Sequence, residues 1–398
     1  MSDLLSIKAA RARVLERVQA LPSERVPLET ASGRVLAVDA RASVDLPPFP
    51  SSAMDGFALR AADTPGRLPI VARVAAGRPA DRPLAAGEAM GIATGGLVPD
   101  GADSVVPIEA TVVHGDNIVE VADGVEAGAH VRPRGKDIEV GGIVAEAGTR
   151  LGATQLGALA AAGVGEVVVA RRPRVAVLTT GTELRSPGEP LGPGEIYEAN
   201  GLVLGAQLAS AGAEVERLAP VEDTEEAHRD AIGRGLEADV LVSSGGVSVG
   251  PHDLVRRVEA ELGVEEVFWR VAVKPGKPTA FGVRDGTLVF GLPGNPVSSL
   301  VTFELFVRPA IEALQGAADP GPHFRRGVLG TAARRGPDRD ELARATARNA
   351  PEGVVLDLLR GQESHMIARA ARATALVLIP AGEGSLEPGT AVDYLELR

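Results

Sequence analysis

From Arg174 to about residue 316 buried-type strands alternate with helices, and this alternation constrains the fold more than any other feature. Apolar runs at 174–180, 213–219, 239–243 and 265–271 are separated by helix patterns at 201–211, 224–236 and 251–262. A chain built this way is expected to form an α/β domain around a mostly parallel sheet. The segment Val283-Arg-Asp-Gly-Thr-Leu288 adds an Asp-Gly hairpin turn, followed by a strand at 287–291 and a helix at 296–314. Asn295 and Pro296 suit the N-cap and first helical positions, and Val297, Leu300, Val301 and Leu305 give that helix its buried face.

Three glycine-rich turns punctuate this region: Ser243-Ser-Gly-Gly-Val-Ser-Val-Gly250, Lys274-Pro-Gly-Lys-Pro278 and Gly291-Leu-Pro-Gly-Asn-Pro296. Each follows an apolar run, so their backbone N–H groups are expected to converge at one sheet edge, an arrangement suited to phosphate. Singly, each turn is equally well read as strand-to-helix punctuation. Lys274 and Lys277 add two cations, enough to hold a tetrahedral dianion, since one lysine about 4 Å from an oxyanion is worth roughly 4 kcal/mol at intermediate dielectric. The first turn is no Walker A loop, because no Gly-Lys-Ser/Thr follows it. Asp253, in the helical turn after it, also suits ordinary dipole compensation. Thr179-Thr-Gly-Thr-Glu-Leu184 ends the first parallel strand, so Glu183 should emerge at the same edge, and the connection from Arg185 to Asn200 has the length of a functional loop.

The flanking sequence predicts further units. Residues 6–21 carry an amphipathic stripe expected to pack on a later domain or a partner subunit. Residues 45–136 read as a β-rich insert, with residues 1–44 and 137–170 rejoining around it as a linking domain. The α/β unit spans 171–316, and after a Gly/Pro-rich linker strand candidates at 326–329, 354–358, 375–379 and 392–397 form a small β-rich C-terminal domain over 320–398.

Composition narrows the function. A chain of 398 residues exceeds a single core. Eight Phe, two Tyr and one Trp offer few stacking platforms, and a formal charge of −12 opposes general nucleic-acid or anionic-membrane binding. With no cysteine and six scattered histidines, disulfides, thiolate metal sites and a zinc site built on imidazole are excluded or disfavoured. A soluble cytoplasmic protein is expected.

Several motifs outside the α/β unit carry chemistry only in combination. Ser51-Ser-Ala-Met-Asp-Gly-Phe57 bears Asp55, and Thr94-Gly-Gly-Leu-Val-Pro-Asp-Gly-Ala-Asp103 offers hydroxyl and backbone donors. Arg132-Pro-Arg-Gly-Lys-Asp137 mixes cations and an acid, whereas Arg344 and Ser364-His365 are uninformative alone. In this order, together with Thr180-Gly-Thr-Glu183 and the three glycine turns, they resemble the molybdopterin molybdenumtransferase family, represented by MoeA and the gephyrin E domain, over essentially the whole chain.

The resemblance implies a multidomain, elongated homodimer with a central α/β molybdopterin-binding domain, a β-rich insert and a small β-barrel-like C-terminal domain. Its active site would combine the α/β and C-terminal domains of one subunit with the insert of the other. It implies insertion of molybdate into adenylylated molybdopterin with release of AMP, assisted by Mg²⁺. Lys274, Lys277, Pro278, Arg344 and Ser364 match the molybdate-binding set. Asp55, Asp137, Glu183 and Asp253 match the catalytic acids, of which Asp55, Glu183 and Asp253 would serve the metal. Thr94, Arg132, Ser243, Gly245, Gly246, Ser248, Gly250, Pro293, Gly294, Asn295 and Pro296 would bind the pterin nucleotide.

Some positions depart from the family pattern: Phe57 for a frequent Tyr, Lys136 for a frequent acid before Asp137, Thr182 for an acid or amide before Glu183, and Leu342 for a usual Phe before Arg344. Either Glu222 or Asp223 can supply a further family acid. Other proteins of cofactor biosynthesis and recipient molybdoenzymes are the expected partners. An adenylyltransferase resembling the α/β unit would leave the insert and C-terminal domain unexplained, and a gephyrin-like scaffold would not require Asp55 and the lysine pair.

Overall fold

The computed structural model describes residues 4–246, 254–351 and 353–397. Its centre is a six-stranded sheet whose strands run, in spatial order, Glu214–Arg217, Arg174–Thr179, Val240–Ser244, Thr287–Leu292, Ala280–Arg284 and Glu265–Trp269. The first four are parallel. The last two are antiparallel, so the run at 265–271 forms an antiparallel edge that ends at Trp269. The Asp-Gly turn makes this reversal: Asp285 and Gly286 both take positive φ, 49° and 91°, the geometry that matches the twist of a two-residue hairpin.

Residue alternation explains why both faces of the sheet are covered. Val175 and Val177 enter one core with Leu204, Leu208, Phe290 and Val301, whereas Ala176 and Leu178 enter the other with Ile232, Leu241 and Val255. The helical stretch at 296–314 is divided: Pro296–Thr302 and Arg308–Leu314 are α-helical, and a π-helical turn, Phe303–Val307, joins them. Pro309 lacks the N–H that regular helix continuation requires, and the wider turn immediately precedes it.

The N-terminal amphipathic helix is shorter than its stripe. It spans Ile7–Leu15, starts where Ser6 Oγ accepts the Ala9 N–H at 3.1 Å, and buries Ile7, Ala10 and Val14 against the α/β core. Val18 and Leu21 still pack there as a non-helical tail, with the Leu21 N–H donating to the Leu314 carbonyl at 2.8 Å. Pro22 biases Leu21 toward extended backbone, a reason for the stripe to outlast the helix.

Ser23–Pro27 pairs with Glu166–Ala170, and Ala40–Arg41 with Ile143–Ala145, so two distant stretches close one small core around Leu36, Leu151 and Leu159. Between them lies a curled six-stranded sheet that includes Gly56–Leu59, Gly66–Val74 and Ala89–Ile92, with separate clusters centred on Phe57 and Met90. The C-terminal region is a closed five-stranded barrel. Asp340–Ala350 closes it by pairing along one half with Ala375–Ile379 and along the other with Gly353–Leu358. This strand also bonds to Val273–Lys274, which anchors the barrel beside the lysine turn.

Candidate functional site

At the carboxyl edge of the parallel strands lies a cavity of about 700 Å³, walled by Thr180, Gly181, Glu183, Ser244, Gly245, Gly246, Pro293, Gly294 and Pro296 among others. Gly245 and Gly246 adopt φ of 102° and 66°. A Cβ there would lie 2.8 Å from Thr180 Oγ1 and 2.4 Å from Val255 Cγ2, respectively, so bare backbone forms this wall for a steric reason. Asn200 fixes two of the glycine turns together: its Nδ2 donates to Ser244 Oγ at 2.9 Å and to the Gly294 carbonyl at 2.7 Å. Glu183 folds over Gly181, where an added Cβ would fall 2.5 Å from its Oε2.

A second cavity of about 280 Å³ adjoins the first, sharing Pro278, Pro293 and Asn295 as common wall. It is lined by Lys274, Lys277, Arg339, Glu363 and Ser364. The lysine turn is fixed from within, because Thr279 Oγ1 donates to the Gly276 carbonyl at 2.7 Å and the Val271 N–H to the Lys277 carbonyl at 2.9 Å. Lys274 Nζ lies 3.0 Å from Glu341 Oε2, while Lys277 is exposed toward the cavity. The Val297 N–H donates to the Ser364 carbonyl at 3.1 Å, tying the barrel's loop to the helix that follows Pro296. That helix-start donor is therefore occupied within the protein.

Two of the expected binding residues stand behind the cavity walls rather than in them. Ser243 is fully buried within its strand, with Oγ donating to the Phe290 carbonyl at 3.3 Å; side chains alternate along a strand, and Ser244 is the serine that reaches the cavity. Arg344 is 1% exposed and stands behind the wall of the smaller cavity. Its guanidinium donates to Gln362 Oε1 (3.3 Å) and to the carbonyls of Gly361 (2.9 Å), Glu363 (3.1 Å) and Met366 (3.0 Å). Burial pushes its pKa down, opposed by the nearby carboxylates of Glu363 and Glu341. These bonds tie Arg344 to the loop that carries Ser364.

The insert's residues form a separate group. Asp55 accepts the Thr94 N–H at 2.7 Å and the Thr94 hydroxyl at 3.0 Å, and these bonds hold its carboxyl below the usual range, the backbone one most strongly. Arg132 and Asp137 are exposed nearby, Arg132 being paired with Ser51 in a short ladder. Neither cavity includes Asp55, Thr94, Arg132 or Asp137 in its wall. Among the described residues no three His, Cys, Asp or Glu side chains are placed to hold a metal ion. Of the expected set, Asp55 is bonded to Thr94 in the insert and Glu183 lines the α/β cavity, whereas Asp253, like Ser248 and Gly250, lies outside the described residues.

Sequence reasoning missed Asn200, Ser244, His365 and Arg339 as lining or bracing residues, and of the two neighbouring acids Asp223 is the one that borders the larger cavity. Asn200 ends the long connection after Arg185, which was the available signal; Arg339 had none, because the strand it precedes was not recognised.

Sequence models of the MoeA N-terminal region (domain I and II), a probable molybdopterin binding domain and the MoeA C-terminal region (domain IV) match residues 5–163, 176–313 and 326–397. Molybdopterin molybdenumtransferase 2 of Mycobacterium tuberculosis is 36% identical over 407 residues, covering 98% of this chain and 99% of that protein. The molybdopterin molybdenumtransferase of Haemophilus influenzae is 36% identical over 81% of each chain. Two crystal structures of the molybdopterin biosynthesis protein MoeA from Pyrococcus horikoshii superpose with TM-scores of 0.81 and 0.85, at 32% and 27% identity and 99% coverage of this chain. No helix among the described residues is long and apolar enough to cross a membrane. With both cavities bordered by the family's motifs and relatives matching end to end, the chain belongs to the molybdopterin molybdenumtransferase (MoeA) family, the molybdenum-inserting enzymes of molybdenum cofactor biosynthesis.

Proposed function

We propose that this enzyme binds adenylylated molybdopterin in the larger cavity and molybdate in the smaller one, and joins metal to dithiolene as the phosphoanhydride is cleaved and AMP leaves. The observation that carries this reading is the common wall of Pro278, Pro293 and Asn295, which sets a backbone-lined nucleotide site against a cationic oxyanion site. Lys274 and Lys277 would attract the oxyanion, Ser364 would orient it, and Arg344 would hold Ser364 in place. The backbone around Gly245 and Gly294 would cradle the phosphates and pterin.

Magnesium commonly binds through one or two carboxylates plus substrate phosphates, and Glu183 with Asp223 on the larger wall fits that mode. A divalent cation there would offset the repulsion between these acids and a pyrophosphate. Asp55, Thr94, Arg132 and Asp137 would complete the site from a second copy of the chain. Exposed Val38, Val44, Val140 and Ile143 on the linking region supply apolar surface for such a homodimer. Operation in the cytoplasm accords with the cysteine-free sequence. Exchange with other cofactor-biosynthesis proteins and recipient molybdoenzymes would follow from the reaction.

The test is purified protein given adenylylated molybdopterin and Mg²⁺, with AMP and active cofactor as readouts. Molybdate-dependent release of AMP is expected, and Lys277→Ala should lose it at low molybdate. Equal AMP release with and without molybdate, or unchanged molybdate dependence in that variant, would contradict the proposal.

A further inference from the structure

We propose that His365 binds the pyrophosphate of the substrate directly, as the cationic side chain of the larger cavity. The proposal rests on that cavity being the nucleotide site. Its described wall holds three carboxylates, Glu183, Glu198 and Asp223, and no lysine or arginine. Lys274, Lys277 and Arg339 all line the smaller cavity instead. The glycine turns offer neutral backbone donors, but a pyrophosphate carries several negative charges and would face those acids. Among the wall's described side chains only the imidazole of His365 can carry positive charge near neutral pH.

Consecutive residues of one barrel loop divide between the cavities, Ser364 bordering the smaller and His365 the larger. The chain is anchored to the α/β domain on either side of the histidine. Before it, the Ser364 carbonyl accepts the Val297 N–H at 3.1 Å; after it, Ile367 packs against the α/β core and donates its N–H to the His365 carbonyl at 2.9 Å. The imidazole itself is exposed and makes no hydrogen bond or ion pair among the described residues, so its ring nitrogens are available to phosphate oxygens. A charge-assisted bond of this kind is roughly twice as strong as a neutral one. Glu183 and Asp223 belong to the α/β domain and His365 to the barrel, so a bound pyrophosphate would draw on both domains at once.

ADP carries the adenosine and pyrophosphate of the substrate, and adenosine lacks the phosphates. Binding of each to the full-length protein with Mg²⁺ would be measured by calorimetry for wild type, His365→Ala and His365→Gln. His365→Ala should weaken ADP binding by about tenfold or more and leave adenosine binding within about twofold, and His365→Gln, a neutral donor, should recover part of the loss. ADP binding within about twofold of wild type in His365→Ala would overturn the proposal, as would an equal loss for ADP and adenosine, which marks a purely structural effect. Crystals of the wild type soaked with ADP separate this from the reading beneath it: ADP outside the larger cavity would overturn the nucleotide site itself, whereas ADP inside it with unchanged affinity in His365→Ala removes only His365. Diethylpyrocarbonate modification of the wild type, mapped by mass spectrometry, needs no variant: ADP should protect His365, and undiminished modification at saturating ADP refutes the proposal.

Discussion

Replacing Arg344 with lysine separates a positioning role from direct contact with the oxyanion. The arginine spans four acceptors on residues 361–366, which a single ammonium cannot reach together. Loss of two charge-assisted bonds, at roughly 1.5 kcal/mol each, should ease local opening of that loop by about 3 kcal/mol. At 1.4 kcal/mol per tenfold, this is on the order of a hundredfold in the opening equilibrium. Hydrogen exchange followed by mass spectrometry would show it in peptides covering 361–367. The Val297 amide should also exchange faster, because its acceptor is the Ser364 carbonyl. Molybdate affinity should fall in parallel as Ser364 loses its placement. If affinity collapses while exchange in both segments matches wild type, Arg344 contacts the oxyanion itself and the positioning argument fails.

Gly276→Ala should disable the lysine turn, because φ there is 122° and a Cβ would sit 2.4 Å from Thr302 Cγ2; a loss of about 1–3 kcal/mol in denaturant unfolding is expected, and a neutral result would contradict the steric account. Thr94→Val removes one of the bonds that depress the Asp55 pKa and should move its titration, followed by NMR, partway back toward 3.8. The stability linked to this group is fully present above 3.8 and disappears as pH falls through the lowered folded value, so the variant should lose stability at a higher pH than wild type; an unmoved titration would count against the bond. Mixing Asp55→Asn with Lys277→Ala subunits should restore about a quarter of wild-type activity if each site draws on both chains, and no restoration in verified mixed dimers would refute the shared site.

The central domain was legible because its strands are apolar and its turns carry Gly, Asp and Pro, which punctuate a chain strongly. The Asp285-Gly286 reversal was readable from two residues. Asp340–Ala350 was not, because Asp-Glu-Leu-Ala-Arg-Ala-Thr-Ala-Arg-Asn-Ala has few strand-forming side chains, and it is the barrel's pairing on both sides that makes it a strand. Missing that strand hid Arg339 and left the environment of Arg344 unread. Ser243 and Ser244 show a finer limit: composition identifies a serine pair, but only the strand's register tells which one reaches the cavity. Of Glu222 and Asp223, likewise, only Asp223 borders the cavity, which the sequence alone does not tell.

Anomalous diffraction at the molybdenum edge, from crystals soaked with molybdate at concentrations near its dissociation constant, tests the paired-cavity account most directly. The account expects one dominant peak in the smaller cavity, within hydrogen-bond reach of Lys277 Nζ and Ser364 and on the far side of Pro278 from Gly245. A dominant peak among the glycine turns of the larger cavity, with none beside Lys277, would contradict it.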